Sequence, residues 1–214
     1  MICVSIAEPD FDKCLALVKQ YDFVEIRLDA GQFTSDQVHQ LFSLGGMTIA
    51  TFRPGRINDN NRQQLLLAAI QSGAAMIDVE TESDKNYRSA ILKAAHNVNC
   101  RVIISYHNFD RTPDSKTLST ILHNCYAQGA EIAKIACQVN NKNDILDLMS
   151  LYGQPGNKTI IGMGDMGRIC RVLSLYLGAE FTFASPDEGN ETAPGQISNE
   201  SLQAILKLIN QPHS

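Results

Sequence analysis

Short apolar, β-branched runs alternate with longer segments of helical period eight times within 214 residues, and this rhythm limits the fold more than any other feature of the chain. The strand candidates are Ile2–Ile6, Phe23–Leu28, Met47–Phe52, Met76–Val79, Arg101–Tyr106, Glu131–Ala136, Thr159–Met163 and Glu180–Phe183. Between them apolar residues recur at helical spacing. Phe11, Cys14, Leu15, Leu17 and Val18 share one face, and Leu65, Leu66, Ala69 and Ile70 follow the polar run Asn58–Gln64. Helix starts are marked by Asp10, by Thr34-Ser35, by Asp114-Ser115, and by Ser198 with Glu200. Gly45, Gly73, Gly129 and Gly178 stand between a helical run and the next strand, where a glycine after the helix end belongs. Regular βα alternation requires parallel strands with crossover helices, hence an α/β fold. Eight uninterrupted units predict a (β/α)8 TIM barrel, a single domain over 1–214, near the lower limit of ~200 residues for that fold. An open doubly wound sheet is the alternative, because periodicity does not report closure.

Composition narrows the function class. Lys and Arg number 18 against 23 Asp and Glu, a formal net charge of −5, which disfavours nucleic acid as a partner. No run approaches the ~20 apolar residues that span a bilayer, so no membrane partner is expected. The start MICVSIAEPDFDKC lacks the basic region and cleavage site of a secretory signal, which points to a cytoplasmic protein. Cys3, Cys14, Cys100, Cys125, Cys137 and Cys170 include no CxxC pair, so they read as buried packing residues in a reducing compartment, with no metal site among them.

The placement of charges is more specific. Strand side chains alternate faces with a period of two. If Val24, Ile26 and Leu28 pack against the helices, then Glu25 and Arg27 point into the barrel near its mouth. By the same rule Asp78 with Glu80, Ser105 with His107, and Lys134 point inward, and Thr51 with Arg53 ends the third strand. Five successive strands thus deliver ionisable groups to the end where (β/α)8 enzymes carry their active sites. Burying such groups is costly unless they are paired or functional, so these residues mark a catalytic pocket. Lys134 has no carboxylate among its sequence neighbours Ile132, Ala133, Ile135, Ala136 and Cys137. Desolvation should therefore lower its pKa and make it a nucleophile for a carbonyl, giving a Schiff base. His107 is the natural proton shuttle. His39, His96, His123 and His213 lie in helical or terminal segments and read as surface.

These residues resemble the type I 3-dehydroquinate dehydratase (dehydroquinase) family through nearly the whole chain. The likeness rests on Val24-Glu25-Ile26-Arg27-Leu28-Asp29, Thr51-Phe52-Arg53, Ile77-Asp78-Val79-Glu80, Ser105-Tyr106-His107-Asn108-Phe109, Ala133-Lys134-Ile135-Ala136, Gly162-Met163-Gly164 with Gly167 and Arg171, and Thr192-Ala193-Pro194-Gly195-Gln196-Ile197. The resemblance implies a (β/α)8 barrel that converts 3-dehydroquinate to 3-dehydroshikimate in the shikimate pathway, with no metal or dissociable cofactor. It implies Lys134 as the Schiff-base lysine, His107 as general acid/base and Glu80 as the carboxylate orienting that histidine. Glu25, Arg27, Arg53, Arg171, Thr192 and Gln196 match substrate-contacting positions. There are two departures: Cys170 stands where serine is common, and Pro54-Gly55-Arg56 lacks the family's acidic, glycine-rich run.

Arg171 is expected to grip the carboxylate of an anionic substrate bidentately. The Gly- and Pro-containing stretch from Ser185 to Gln196 reads as a lid, and a homodimer is compatible with the chain. Three other readings stay open. An aldolase-type barrel enzyme would use the same lysine, though Gly162-Met163-Gly164-Asp165 is a poor phosphate cradle. A metal-dependent isomerase would use Glu25, Asp78, Glu80 and His107 as ligands, against the opposition of Arg27, Arg53 and Lys134. A non-catalytic barrel would be expected to lose its inward charges.

Overall fold

A computed structural model of the chain describes residues 1–55 and 59–211; Arg56 and His213, named above, lie outside them. The strands are β1 (Ile2–Ile6), β2 (Phe23–Arg27), β3 (Met47–Thr51), β4 (Met76–Glu80), β5 (Arg101–Asn108), β6 (Ile132–Gln138), β7 (Lys158–Met163) and β8 (Thr182–Ala184). The helices between and after them are α1 (Phe11–Gln20), α2 (Ser35–Phe42), α3 (Asp59–Gln71), α4 (Lys85–Asn97), α5 (Ser115–Ala127), α6 (Lys142–Ser150), α7 (Arg168–Tyr176) and α8 (Asn199–Ile209). Parallel ladders join the strands in the order β7-β6-β5-β4-β3-β2-β1-β8. Between β7 and β8 no ladder forms. The two ends instead meet through Glu180 N donating to Lys158 O at 3.1 Å and Thr159 Oγ1 donating to Phe181 O at 3.1 Å. The sheet is therefore a nearly closed TIM barrel, and the open doubly wound alternative is excluded.

Local chemistry explains the elements. Asp10, Thr34, Asp114 and Ser198 each accept a backbone N–H from the first turn of the helix they precede. The chain leaves α5 through Gly129 at φ +98°, a left-handed conformation that favours glycine. The six cysteines are free and buried, and burial pushes the Cys14 thiol up to about 12.

Two apolar layers follow from the period of two. Val24, Ile26, Leu28, Ile77, Val79, Ile104 and Ile135 face the helices. Cys3, Phe23, Ile49, Met76, Ile103, Ile132 and Phe181 fill the lower barrel interior. Farther along the same inward rows come Ser5, Glu25, Thr51, Asp78, Ser105, Lys134 and Thr159, all buried. The inward rows of β1 to β6 thus pass from an apolar floor to polar residues, whereas β7 and β8 bring Ile161, Met163 and Phe183 to the mouth. Among the described residues no helix is long and apolar enough to cross a membrane.

Candidate active site

The mouth encloses a cavity of about 340 Å³, within the range of small-ligand sites. Its lining includes Glu25, Arg27, Arg53, Glu80, His107, Lys134, Arg171 and Thr192, so eight of the nine residues singled out from the sequence meet there. The ninth, Gln196, stands behind Thr192, where its Oε1 accepts from Thr192 N at 2.6 Å. Ile161, Met163 and Phe183 supply apolar wall.

Lys134 is 4% exposed on β6, and its Nζ donates to Glu25 Oε1 on β2 at 3.2 Å and to Asp78 Oδ2 on β4 at 2.9 Å. The expectation of a lysine without carboxylates is thereby overturned: its sequence neighbours carry none, but the barrel brings two from other strands. The ring of Phe183 lies beneath the ammonium, 4.1 Å from Nζ to the centroid. Asp78, unassigned in the sequence reading of the site, is the hub of the network. Besides Lys134 it accepts from Ser105 Oγ at 2.5 Å and from Arg53 Nη2 at 3.0 Å. Glu25 accepts from Thr51 Oγ1 at 2.9 Å and from Ser5 Oγ, which in turn accepts from Thr192 Oγ1 at 2.9 Å. Burial pushes the Asp78 and Glu25 carboxyls up, but the nearby cations, Arg53 and Lys134 for Asp78 and Lys134 first for Glu25, outweigh it. Both carboxyls end below the ordinary carboxylate range.

His107 lies near the upper end of β5, stacked on Phe109 with ring centroids 6.1 Å apart. Burial, and then the positive charges of Arg53 and Lys134, hold its imidazole well below its ordinary pKa, so it is neutral at pH 7. Glu80 does not tether it, contrary to the resemblance. The Glu80 carboxylate accepts from Arg53 Nη1 at 3.3 Å and from Arg62 Nη2 at 3.4 Å, and neither oxygen reaches the imidazole as a hydrogen-bond acceptor.

Arg171 also departs from expectation. Its Nε donates to Gly195 O at 3.0 Å and its Nη1 to Phe183 O at 3.1 Å, so the fork is spent on the backbone, and only Nη2, buried and without a partner, remains. Burial lowers its pKa to about 10. The cavity is lined by the four cations Arg27, Arg53, Lys134 and Arg171. Among the described residues Arg171 alone of the four has no ion pair. Among the described residues no three His, Cys, Asp or Glu side chains are grouped to hold a metal ion.

The loop after β8 sits on this mouth. Thr192 and Ala193 line the cavity, and Pro194 O accepts from Gly164 N at 3.1 Å. Gly195, at φ +71°, passes so close to Gly164 that a Cβ would lie 2.2 Å from its carbonyl oxygen.

The shifts fix the sign of a pH dependence. His107 has a folded pKa below its unfolded value of about 6.5, so on acidification the unfolded chain takes up the proton first and stability falls as pH drops below about 6.5. Asp78 and Glu25, with lowered folded values, contribute stability above about pH 4 that is lost as pH falls further. Urea midpoints are expected to decline in these two stages. His107→Gln should flatten the first, by at most about 1.4 kcal/mol per pH unit for a single proton; an unchanged slope between pH 5 and 6.5 would contradict the neutral imidazole.

The sequence pattern of the type I 3-dehydroquinase family matches residues 2–213. The chain belongs to the type I 3-dehydroquinase family. It is 32% identical to a 3-dehydroquinate dehydratase of Methanocaldococcus jannaschii over 98% of this chain and 99% of that protein. Among solved structures it is similar to the type I 3-dehydroquinate dehydratase of Clostridium difficile, with a TM-score of 0.85, 25% identity and coverage of 97% of this chain and 91% of that one. That structure carries covalently modified comenic acid. The 3-dehydroquinate dehydratase of Aquifex aeolicus gives a TM-score of 0.84 at 28% identity, over 99% of this chain and 100% of its own. This family member is thus a hydro-lyase of TIM-barrel fold.

Proposed function

We propose that the chain dehydrates 3-dehydroquinate to 3-dehydroshikimate through a Schiff base on Lys134, with His107 as general acid and base. The observation that carries this reading is a buried lysine and a neutral imidazole lining one cavity together with an arginine that has no ion pair among the described residues.

The chemistry balances within the site. The Lys134 ammonium passes a proton to neutral His107, and the free amine attacks the C3 ketone. The imidazolium returns that proton to the carbinolamine hydroxyl, which leaves as water. Ammonium has become iminium with no net proton taken or lost, so Glu25, Asp78 and the Phe183 ring face a cation before and after. The iminium acidifies the C2 proton, which neutral His107 removes to form an enamine. The enamine expels the C1 hydroxyl, protonated by His107 as it leaves, and hydrolysis of the product iminium restores Lys134. Arg171 Nη2 meets the substrate carboxylate with one arm, while Arg27 and Arg53 offer donors to its hydroxyls. The Ser185 to Gln196 loop acts as a lid that excludes bulk water from the imine.

The reading is tested by incubating the protein with 3-dehydroquinate and borohydride and sequencing the modified peptide. The mass of a reduced substrate or product adduct is expected on Lys134. A protein that turns over 3-dehydroquinate and stays unmodified sinks it.

We extend the proposal to assembly. Met166, Ile169, Leu173, Tyr176 and Leu177 on and beside α7 and Ile205, Leu208 and Ile209 on α8 are exposed together. They present on the order of 700 Å² of surface, close to the ~800 Å² that one partner gives a standard interface. Exposed Glu200 and Lys207 stand at opposite ends of α8, so a two-fold axis that sets α8 antiparallel to its mate pairs them. A homodimer across this face is expected in sedimentation equilibrium, and Leu208→Glu is expected to give monomer. A wild-type monomer at micromolar concentration counts against it.

A further inference from the structure

Arg62 enters the polar network from α3, behind the barrel wall, and it is 3% exposed. Its Nε donates to Phe52 O at 2.7 Å, and its Nη2 donates to Glu80 Oε2 at 3.4 Å. The guanidinium carbon lies 4.7 Å from the centroid of the Tyr87 ring on α4, and Nη1 is 3.7 Å from Asp59 Oδ1. Phe52 is the residue before Arg53, and Glu80 is the carboxylate that takes Arg53 Nη1. One buried guanidinium therefore touches both the backbone that carries Arg53 and one of the two carboxylates, Glu80 and Asp78, that hold it.

We propose that Arg62 is a positioning residue for Arg53, its fork fixing the end of β3 with one arm and holding the Glu80 carboxylate against Arg53 with the other. This rests on the dehydratase reading only in so far as Arg53 meets the substrate. The groups facing Glu80 are Arg53 beyond β3, Asp78 on its own strand, Arg62 from α3 and Glu82 in the following loop. Burial already pushes the Glu80 carboxyl up. Without Arg62 it faces one cation and two carboxylates, and it takes up a proton nearer to neutral pH. A neutral Glu80 leaves Arg53 to Asp78 and Ser105 alone, so the guanidinium loses one of its two carboxylates and the substrate contact loosens as the pH falls. A lysine at position 62 keeps the charge but has no planar fork to serve Phe52 O and Glu80 together.

The experiment compares wild type, Arg62→Gln and Arg62→Lys by carboxyl ¹³C NMR of the ligand-free protein between pH 3.5 and 8, with the Glu80 resonance assigned through Glu80→Gln. The Glu80 midpoint is expected to rise by about one pH unit or more in Arg62→Gln and by less in Arg62→Lys. The acid limb of kcat/KM for 3-dehydroquinate should rise in parallel, and that shift should vanish when Arg62→Gln is placed in a Glu80→Gln background. Arg62→Lys should still lose about tenfold in kcat/KM, because the second arm is gone.

A Glu80 midpoint at the wild-type pH in Arg62→Gln overturns the proposal, as does wild-type kcat/KM in Arg62→Lys. If Arg62→Gln fails to fold by near-ultraviolet circular dichroism, the Arg62→Lys rate decides. A wild type without turnover would count against the dehydratase reading instead, and the NMR midpoints would still judge Arg62.

Discussion

Replacing Lys134 by methionine is expected to lower turnover by on the order of 10⁴ or more and to abolish borohydride trapping, because no other buried amine opens into the cavity among the described residues. The same change has a second, separable effect. Glu25 and Asp78 share the ammonium, and without it two buried carboxylates are left with only Arg27 and Arg53 to offset their repulsion. Breaking a buried pair of this kind costs about 3–5 kcal/mol, so the variant should unfold at clearly lower urea. In the variant one carboxyl binds a proton more tightly folded than unfolded, so part of the loss should return as pH is lowered through 6 to 5, opposite to wild type. Adding Glu25→Gln should restore some stability and no activity. Turnover within tenfold of wild type in Lys134→Met would end the Schiff-base proposal.

His107→Ala should lower kcat by ~10²–10⁴, the range of general acid/base catalysis, while KM changes little. Imine formation tolerates water as a slower proton carrier, so trapping on Lys134 should persist and the adduct should accumulate under turnover. The variant also removes an imidazole that burial keeps neutral, so it should be at least as stable as wild type at pH 5. A variant that neither traps nor binds would show that His107 shapes the pocket instead of moving protons.

Much of this was legible from alternation alone. Five inward ionisable rows follow from a period of two, and every one of them reaches the mouth. Strand ends were less legible. The reading stopped β5 at Tyr106 and β6 at Ala136, whereas the ladder carries on through Asn108 paired with Cys137 and Gln138 paired with Met163. Strand length at the mouth is set by the neighbours' register and not by a strand's own hydrophobicity. Partnerships between distant strands are invisible for the same reason: Lys134 has no carboxylate nearby in sequence and meets two in space, and Glu80 and Arg171 bond groups other than the expected ones. Arg62 carried a usable signal: it stands four residues before Leu66, on the stripe that continues through Ala69 and Ile70, and all four are buried. An arginine on a core-facing stripe must find a buried acceptor, and here that acceptor lies in the active site.

The seam between β7 and β8 has a mechanical consequence. Its lower part is stitched by one backbone bond and the Thr159 hydroxyl, but higher up the carbonyl of Phe183, which a neighbouring strand would ordinarily bind, is held by the side chain of Arg171. The same guanidinium fastens the covering loop at Gly195 and keeps one buried nitrogen without a partner. Barrel integrity and loop attachment are thus vested in one residue, the one proposed above to meet the substrate carboxylate. A bound carboxylate would tighten the molecule along its weakest line, and loss of this arginine would open the wall of the vessel together with its latch.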